Sequence, residues 1–423
     1  MRAIVAGSRN QYARASFVMC VPMSDFVFSG LKVIDCATVI AAPVAAMILA
    51  DFGADVIKIE PPDGDMLRRI RDVPDTVPGG EDYMWQMDGR NKRGLTLDLK
   101  SDDGITILRK LVAECDVFIT NQPYSVREKL GVTYEELSPL NPKMIYASLT
   151  AYGEAGDERA RKGFDQLAYW ARSGLMDLMR EPGGVPQQGL SGMGDHPTGV
   201  ALYAGIVTAL MRREQTGEGG LVHTSLLANG LWSCAAIAQG VMAGGDASRV
   251  RASRENPIAM MRVYQCADER WLQLNMVRNL EEIAQLLDAI GAMALLSDER
   301  FATGRDIWLN REAFGDAIAE RLLTETSTHW MTTFASMEIE ANLVAIVEEK
   351  PTDPQVLANN IATPPPDPAM GVLLLLNHPI KATNLCQVAA IHPPEPSEHS
   401  TEILDMLGYS DEEIRRLREA GTI

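Results

Sequence analysis

The stretch LKVIDCATVIAAPVAAMILADFGADVIKIE, residues 31–60, decides the fold of this chain. It opens with Leu31–Asp35, whose β-branched apolar residues predict a short strand. An apolar segment then runs to Phe52, with Pro43 near the start of a helix and Gly53 where helices commonly end. Asp55–Glu60 predicts the next strand. A strand, a helix of roughly ten residues and a second strand form a βαβ unit, which implies a parallel sheet.

The alternation of strands and helices continues along the chain. Further strands are predicted at Leu95–Leu99, Asp116–Thr120 and Met144–Leu149. Helices are expected from the capping residue Ser101 to about Cys115, and at Tyr134–Leu137, Asp165–Leu178, Pro197–Gln215, Ser225–Met242 and Ser410–Ala420.

The middle of the chain differs in pattern. Gly244–Asn256 is polar and linker-like, and Pro351–Pro368 is rich in proline. Between them lie a predicted strand at Trp271–Asn275 and helices near Asn279–Leu286 and Arg311–Leu323, whereas Val372–Leu376 is interpreted as a buried strand. We therefore predict an α/β protein whose Rossmann-like large domain, built on a parallel sheet, is interrupted by a smaller α+β domain. The predicted segments are an extension (1–24), the first part of the large domain (25–243), a linker (244–256), the small domain (257–347) and a return segment (348–423).

Composition narrows the functional classes. Thirty-nine Lys and Arg against 57 Asp and Glu give a formal charge of −18, which argues against a nucleic-acid partner. No apolar run reaches the roughly 20 residues that span a bilayer, so no membrane partner is expected. Six scattered cysteines without zinc-type spacing indicate a reducing, cytoplasmic compartment and no structural metal. The first 24 residues carry three arginines and no sustained apolar run, and we expect Met23 to open the chain proper.

Several nucleotide and hydrolase motifs are missing. The turn after the first predicted strand, Asp35–Pro43, has no glycine, which disfavours a dinucleotide site. Neither a phosphate-binding P-loop nor a Gly-x-Ser-x-Gly elbow occurs. A local basic run, Arg90, Lys92 and Arg93 with Lys100 beyond it, has two interpretations. It could neutralise a polyphosphate ligand, or it could be a solvated loop, which the charge pattern alone favours.

Two aspartates at predicted helix starts are candidate catalytic groups. Asp195 precedes Pro197, which fits the first turn of a helix, and Asp165 follows a glycine loop. Capping is the ordinary interpretation of both. The functional one is an ionised carboxylate able to attack an acyl carbon, with Asp165 as a second carboxylate of different pKa. His196 could act as a base, whereas His223, in a predicted strand, is expected to be a hydrogen-bonded core histidine.

A series of motifs in order resembles the family III CoA-transferases, the group that contains formyl-CoA transferase, carnitine CoA-transferase and α-methylacyl-CoA racemase. The resemblance runs from about Leu31 to the C-terminus. The matching segments are Leu31–Pro43, Ala50–Glu60, Asn91–Lys100, Glu128–Gly131, Gly163–Asp165, Gly194–Asp195 and Leu407–Ile414. This resemblance implies an interlocked dimer of two ring-like chains, each with a Rossmann-type large domain and a small domain.

The resemblance also implies a mechanism and a site. Asp195 is then the nucleophile, which forms an acyl-aspartyl anhydride and next an aspartyl-CoA thioester while CoA moves from an acyl-CoA to a free carboxylic acid. Coenzyme A is a co-substrate, and no tightly bound cofactor is expected. Asp165 aligns with an acidic residue of the pocket. The implied CoA-binding positions are Leu97, Lys100, Asn121, Lys129 and Lys162.

Departures from the family pattern point to the substrate. Ile40 stands where the formyl-CoA enzymes have glutamine, and Asn256–Met261 lacks their glycine-rich lid, so we expect a larger and more apolar acyl group. Thr38 and Tyr124-Ser125 replace an arginine and a proline-glycine turn, which predicts altered CoA anchoring. Phe164 replaces the histidine of the racemase branch, and racemisation needs two bases, so transfer is favoured. A 2-methylacyl-CoA racemase and an inactive acyl-CoA-binding protein remain the alternatives.

Overall fold

A parallel sheet organises the larger part of the molecule. The computed structural model describes residues 26–72, 76–79, 82–255, 257–275 and 279–423, so the predicted extension at 1–24 lies outside the described residues. Six strands run parallel in the order β3-β2-β1-β4-β5-β6. Their bounds are β1 Lys32–Asp35, β2 Asp55–Glu60, β3 Arg93–Thr96, β4 Val117–Thr120, β5 Ile145–Thr150 and β6 Gly220–Ser225. The strand order changes direction between β1 and β4, and a crevice therefore opens at their carboxyl ends.

Helices bury both faces of this sheet. Val33 and Ile34 of β1 contribute to two separate cores, as successive residues of a strand buried on both faces do. The helices up to residue 255 are α1 Ala41–Asp51, α2 Tyr83–Gly89, α3 Asp102–Glu114, α4 Tyr124–Leu130, α5 Tyr134–Leu137, α6 Leu175–Met179, α7 Asp195–Thr216, α8 Leu226–Ser233, α9 Ala235–Met242 and α10 Ser248–Glu255. The βαβ unit predicted from residues 31–60 is confirmed.

A second, smaller core belongs to residues 259–343. Three antiparallel strands form its sheet in the order β7-β8-β9, with bounds Val263–Gln265, Trp271–Leu274 and Ala341–Leu343. Four helices accompany the sheet: α11 Leu280–Ala289, α12 Gly304–Leu309, α13 Arg311–Leu322 and α14 Ser327–Ser336. The apolar side chains of this core, among them Phe314 and Phe334, are fully buried.

The C-terminal segment returns to the main sheet. It contains α15 Pro354–Ala358, the short strands β10 Ala362–Thr363 and β11 Leu375–Leu376, α16 Ser400–Met406 and α17 Asp411–Glu419. Ser410 and Glu413 form a capping box that starts α17. Ile403 and Ile414 join the core on one face of the main sheet, and the Asp98 amide donates to the Thr422 carbonyl at 2.8 Å. No helix within the described ranges is long and apolar enough to cross a membrane.

Several predicted elements differ in the structure. The strand expected at Leu95–Leu99 lies two residues earlier, as β3. The helix expected at Asp165–Leu178 is a π-helical stretch, Gln166–Ala171, and then α6, with Gly174 at φ 91° immediately before α6. Cys234 separates α8 from α9 within the expected Ser225–Met242 helix. The segment expected to be a linker carries α10. The strand at Val372–Leu376 shrinks to β11, and Leu373 there is 92% exposed, so this strand is not a buried one.

Candidate active site

The loop after β1 lies at the crevice and is held in place from two sides. Asn121, which follows β4, accepts a hydrogen bond from the Thr38 amide at 2.9 Å and donates to the Thr38 carbonyl at 2.6 Å. Val39 has φ 65°, a conformation that β-branched residues rarely adopt. Its amide donates to the buried Asp65 carboxylate at 3.0 Å. The loop conformation is therefore imposed by tertiary contacts rather than by local preference.

Beneath this loop lies a buried group of matched charges. Lys58 contacts Asp65 at 2.8 Å and Asp35 at 4.0 Å and donates to the Ala37 carbonyl, while Lys92 contacts Asp35 at 2.9 Å. Burial by itself would raise the pKa of Asp65, but Lys58 and two backbone amides outweigh it and lower that pKa. Each carboxylate here is paired with a lysine, so the group serves as a scaffold for the loop.

The basic run that includes Lys92 has a structural role that neither interpretation anticipated. Arg90 is buried and paired with Asp51 at 2.6 Å. Arg93 pairs with Asp55 at 2.6 Å. Arg90 and Lys92 are thus neither a solvated loop nor a site for a polyphosphate, because buried carboxylates occupy their donors, and Arg93 is engaged by the partly exposed Asp55.

Asp195 is the first residue of α7, and it is 8% exposed. Gly194 rather than Asp195 is the capping residue, and Pro197 therefore sits inside the first turn. A side chain at position 194 would meet the Tyr169 ring at 2.6 Å, so only glycine allows this approach. Asp195 thus lies at the positive end of a 22-residue helix, where a carboxylate is stabilised.

Asp165 is brought next to Asp195, which sequence reasoning could not establish. It is 4% exposed, caps the π-helical stretch through the Gln166 amide at 2.7 Å, and accepts from the Gly194 amide at 3.3 Å. Burial, together with the charges of Asp165 and Asp88, raises the pKa of Asp195 to about 7. Asp195 therefore titrates near neutrality, which suits a group that must be charged in one state and acylated in another.

His196 and Asp88 form a further pair beside this carboxylate. Asp88, on α2, is 1% exposed, and its oxygen lies 3.4 Å from His196 Nε2. His196 Nδ1 lies 3.1 Å from the Gly192 carbonyl oxygen. Burial alone would lower the pKa of His196, but the contact with Asp88 outweighs it and raises that pKa to about 9. Asp88 was missed by the sequence analysis, since nothing local distinguishes it from a surface aspartate.

Two cavities meet at the crevice. One, of about 290 Å³, is lined by Asp195, and the other, of about 530 Å³, is lined by Leu97 and Lys100. Thr38, Gln122 and Val126 line both, so the two cavities adjoin, and together they are called the channel below. The buried Gln122 Oε1 has no hydrogen-bond partner among the described residues, which leaves it available to a ligand.

The predicted CoA-binding residues divide unequally over this channel. Asn121 and Lys162 line the cavity that contains Asp195, and Leu97 and Lys100 line the second cavity. Lys129 is exposed on α4 and belongs to the lining of neither. His223 is exposed on the edge strand β6, so its interpretation as a core histidine was wrong. Across the described residues, no group of three or more His, Cys, Asp or Glu side chains could hold a metal ion.

Comparison with solved structures defines the class. A CaiB/BaiF family protein from Brucella suis matches with a TM-score of 0.78 and 28% identity, over 90% of this chain and 100% of that one. The parallel sheet and the carboxylate at the start of α7 thus belong to an α/β protein of the CaiB/BaiF class.

The sequence comparisons then give the family. The model of CoA-transferase family III matches residues 28–400, and the chain belongs to this family of enzymes that transfer coenzyme A. It is 30% identical to (R)-2-hydroxy-4-methylpentanoate CoA-transferase of Clostridioides difficile, over 94% of this chain and 99% of that protein. It is also 30% identical to cinnamoyl-CoA:phenyllactate CoA-transferase of Clostridium sporogenes, over 93% and 96%. The resemblance seen in the sequence is confirmed.

Proposed function

We propose that the protein moves CoA from an acyl-CoA thioester to a free carboxylic acid, with Asp195 as the nucleophile. The observation that carries this proposal is a buried carboxylate of pKa about 7 that lines a channel large enough for an extended ligand. A carboxylate can store the activation of a thioester as an anhydride, so the exchange needs no change of oxidation state.

Each step of this exchange balances. An Asp195 oxygen attacks the thioester carbonyl, the C–S bond breaks, and CoA leaves as the thiolate. The thiolate attacks the aspartyl carbonyl of the anhydride, which releases the donor acid and leaves an aspartyl-CoA thioester. The acceptor carboxylate attacks that thioester and expels the thiolate again. The thiolate then attacks the acceptor acyl carbon, and Asp195 is regenerated as a carboxylate.

CoA is proposed to lie along the channel. Leu97 and Lys100 line the outer cavity and would meet the adenosine end, where a lysine can neutralise phosphate. Lys162 and Asn121 line the inner cavity, nearer the thioester. Asn121 would act mainly through the loop, because both of its amide atoms are engaged by Thr38. A phosphate contact for Lys129 remains a proposal drawn from the family resemblance.

The acyl group is proposed to be larger than formyl or oxalyl and substantially apolar. Ile40, Phe164 and Leu226 line the inner cavity with Asp195. Apolar walls favour branched or aromatic acyl groups over small charged ones. The relatives named for 2-hydroxy-4-methylpentanoate and phenyllactate act on acids of that kind, so we propose acids of similar size and polarity as substrates.

The assembly and location are also proposals. We infer the division into domains at 25–243, 257–347 and 348–423 from the sequence pattern, the cytoplasmic location from the scattered cysteines, and the interlocked ring-like homodimer from the family resemblance. Trp232, on α8, is 80% exposed and Met242, on α9, is 69% exposed, which gives an apolar surface suited to a second copy. A monomeric mass in sedimentation at low protein concentration would contradict the dimer.

The experiment is an exchange assay followed by mass spectrometry. The protein is incubated with 4-methylpentanoyl-CoA or cinnamoyl-CoA and a panel of free acids, with Asp195→Ala in parallel. New acyl-CoA species that vanish in the variant support the proposal. If the wild type makes none but incorporates solvent deuterium at the α-carbon of a 2-methylacyl-CoA, the protein is a racemase instead. CoA binding without either reaction would indicate an inactive acyl-CoA-binding protein.

A further inference from the structure

Two further carboxylates lie near Asp195, and their negative charge opposes the ionisation that a nucleophile needs. Asp165 approaches from the start of the π-helical stretch and Asp88 from α2, and both raise the pKa of Asp195. The adjacent cationic candidate on its own helix is His196, whose charge acts in the opposite direction. Further basic side chains line the same cavity on the loop that precedes Asp165; these are Arg159, Arg161 and Lys162.

The geometry of His196 fixes its protonation state. Its Nδ1 faces the Gly192 carbonyl at 3.1 Å, and its Nε2 faces the Asp88 carboxylate at 3.4 Å. The Gly192 carbonyl only accepts hydrogen bonds, so Nδ1 carries a proton. Nε2 has no hydrogen-bond partner among the described residues and lies in ion-pair contact with the Asp88 carboxylate, which favours a proton on this nitrogen as well. A ring that carries a proton on both nitrogens is the imidazolium cation. The same Gly192 carbonyl accepts from the Asp195 amide at 3.1 Å, which joins the ring to the turn that carries the nucleophile.

The surroundings of His196 compensate for the cost of a positive charge at this position. A positive charge in the first turn of a helix is unfavourable, because the helix dipole is positive there. Asp88 offsets that cost. It is 1% exposed, and neither of its oxygens forms a hydrogen bond with another described residue. His196 is in ion-pair contact with it at 3.4 Å, and Lys92, which pairs with Asp35, is close enough for the Asp88 charge to oppose the lowering of the Lys92 pKa by burial. A buried carboxylate without hydrogen bonds is expensive and needs such a partner.

We propose that Asp88 holds His196 as an imidazolium cation, and that this pair is a positioning device that keeps Asp195 ionised for attack on the thioester. The proposal rests on the proposed role of Asp195 as nucleophile. In the attacking state the cation offsets part of the negative charge of the two neighbouring carboxylates. Once Asp195 is acylated its charge is gone, and His196 remains paired with Asp88, so no proton has to move during the reaction.

The first test reads the histidine directly and needs no substrate. Protein labelled with ¹⁵N-histidine is titrated by NMR, and the signal of His196, one of six histidines, is assigned as the one lost in His196→Gln. We expect both ring nitrogens of His196 to stay protonated at pH 8. In Asp88→Asn the titration of His196 should move to lower pH by at least about one unit. A neutral ring at pH 7 in the wild type overturns the proposal, whatever the activity.

The second test reads the effect on Asp195. With an acyl-CoA found active in the exchange assay, kcat/KM is measured against pH for the wild type and for His196→Gln, which removes the cation and leaves Asp88 in place. Loss of the neighbouring cation should raise, by about one unit, the pKa that limits kcat/KM on the acid side of the profile. We therefore expect kcat/KM to fall about tenfold at pH 6 and to approach the wild-type value at pH 9. A structural role alone would lower kcat/KM equally at all pH values, and that result overturns the proposal.

His329→Gln is the matched control. His329 is exposed on α14, in the smaller core, and is expected to change neither the pH profile nor the titration of His196. If the wild type transfers no CoA, the NMR titration still decides the state of His196. Failure of the ion pair and failure of the proposed function are thus distinguishable.

Discussion

Two buried charged regions lie within this molecule, and they are built on opposite principles. Under the β1–α1 loop, Asp35 and Asp65 face Lys58 and Lys92, so the charges balance. At the start of α7, Asp195 has Asp165 and Asp88 near it and one adjacent imidazole. The first region lowers the pKa of its carboxylate Asp65, and the second raises that of Asp195 to about 7. Balanced charge stabilises a loop, whereas unbalanced charge prepares a carboxylate for chemistry.

Breaking the balanced region should have the largest effect on stability. Lys58→Met removes the cation shared by Asp35 and Asp65 and leaves an uncompensated buried charge. We expect the free energy of unfolding to fall by about 3–5 kcal/mol, measured by urea denaturation. Lys32→Met is the control, because Lys32 pairs with Glu114 at the exposed surface, and such a pair contributes about 0–1 kcal/mol. Equal losses in the two variants would contradict the balanced-charge description.

In the unbalanced region, removing the charge of Asp195 should increase the free energy of unfolding rather than decrease it. The pKa of Asp195 is about 7 in the folded chain and near 4 when unfolded, so the folded state binds the extra proton between these values. The free energy of unfolding therefore falls as the pH rises from about 4 to about 7, because the folded chain must give up this proton. Asp195→Asn has no carboxylate to titrate and should not lose this stability. We expect the variant to lack CoA transfer yet to be more stable than the wild type at pH 8, by roughly 1–3 kcal/mol in urea denaturation.

A helix-capping aspartate provides the contrast for this variant. Asp353 accepts from the Gln355 amide at 2.9 Å, and its pKa is lowered by Lys350 and by backbone amides. Asp353→Asn should therefore reduce stability at pH 8 rather than increase it. If Asp195→Asn also reduces stability, the carboxylate of Asp195 stabilises the start of α7 and is not held under electrostatic strain.

The like-charge neighbour can be removed separately. In Asp165→Asn the pKa of Asp195 should fall from about 7, because one repelling carboxylate is gone while the capping oxygen for the Gln166 amide is retained. The acid limb of kcat/KM should move to lower pH by about one unit. Asp177→Asn, which alters an exposed carboxylate paired with Arg251 at 2.8 Å, should leave the limb in place.

The contrast between the two regions also explains what the sequence could predict. The βαβ unit at residues 31–60 follows from local periodicity, and Asp195 and Asp165 were chosen by motif. Their proximity could not be predicted, since the Gly194 amide and the close approach of Tyr169 bring them together only in the folded chain. Lys92 was misinterpreted because a charge pattern carries no information about burial. Val39, at φ 65°, was unpredictable because tertiary contacts override its own preference.

The smallest expected effect concerns the outer end of the channel, where exposed lysines meet solvent. Lys100 lines the outer cavity, whereas Lys129 on α4 lines neither cavity. The family resemblance implies a contact with the adenosine end of CoA for Lys100 and a position near the CoA phosphates for Lys129. We expect Lys100→Ala to weaken CoA binding about threefold in calorimetry, because a solvent-exposed ion pair contributes little. Lys129→Ala should leave the dissociation constant unchanged. A larger effect at Lys129 would mean that CoA leaves the channel over α4, and that the outer cavity holds something other than the adenosine end.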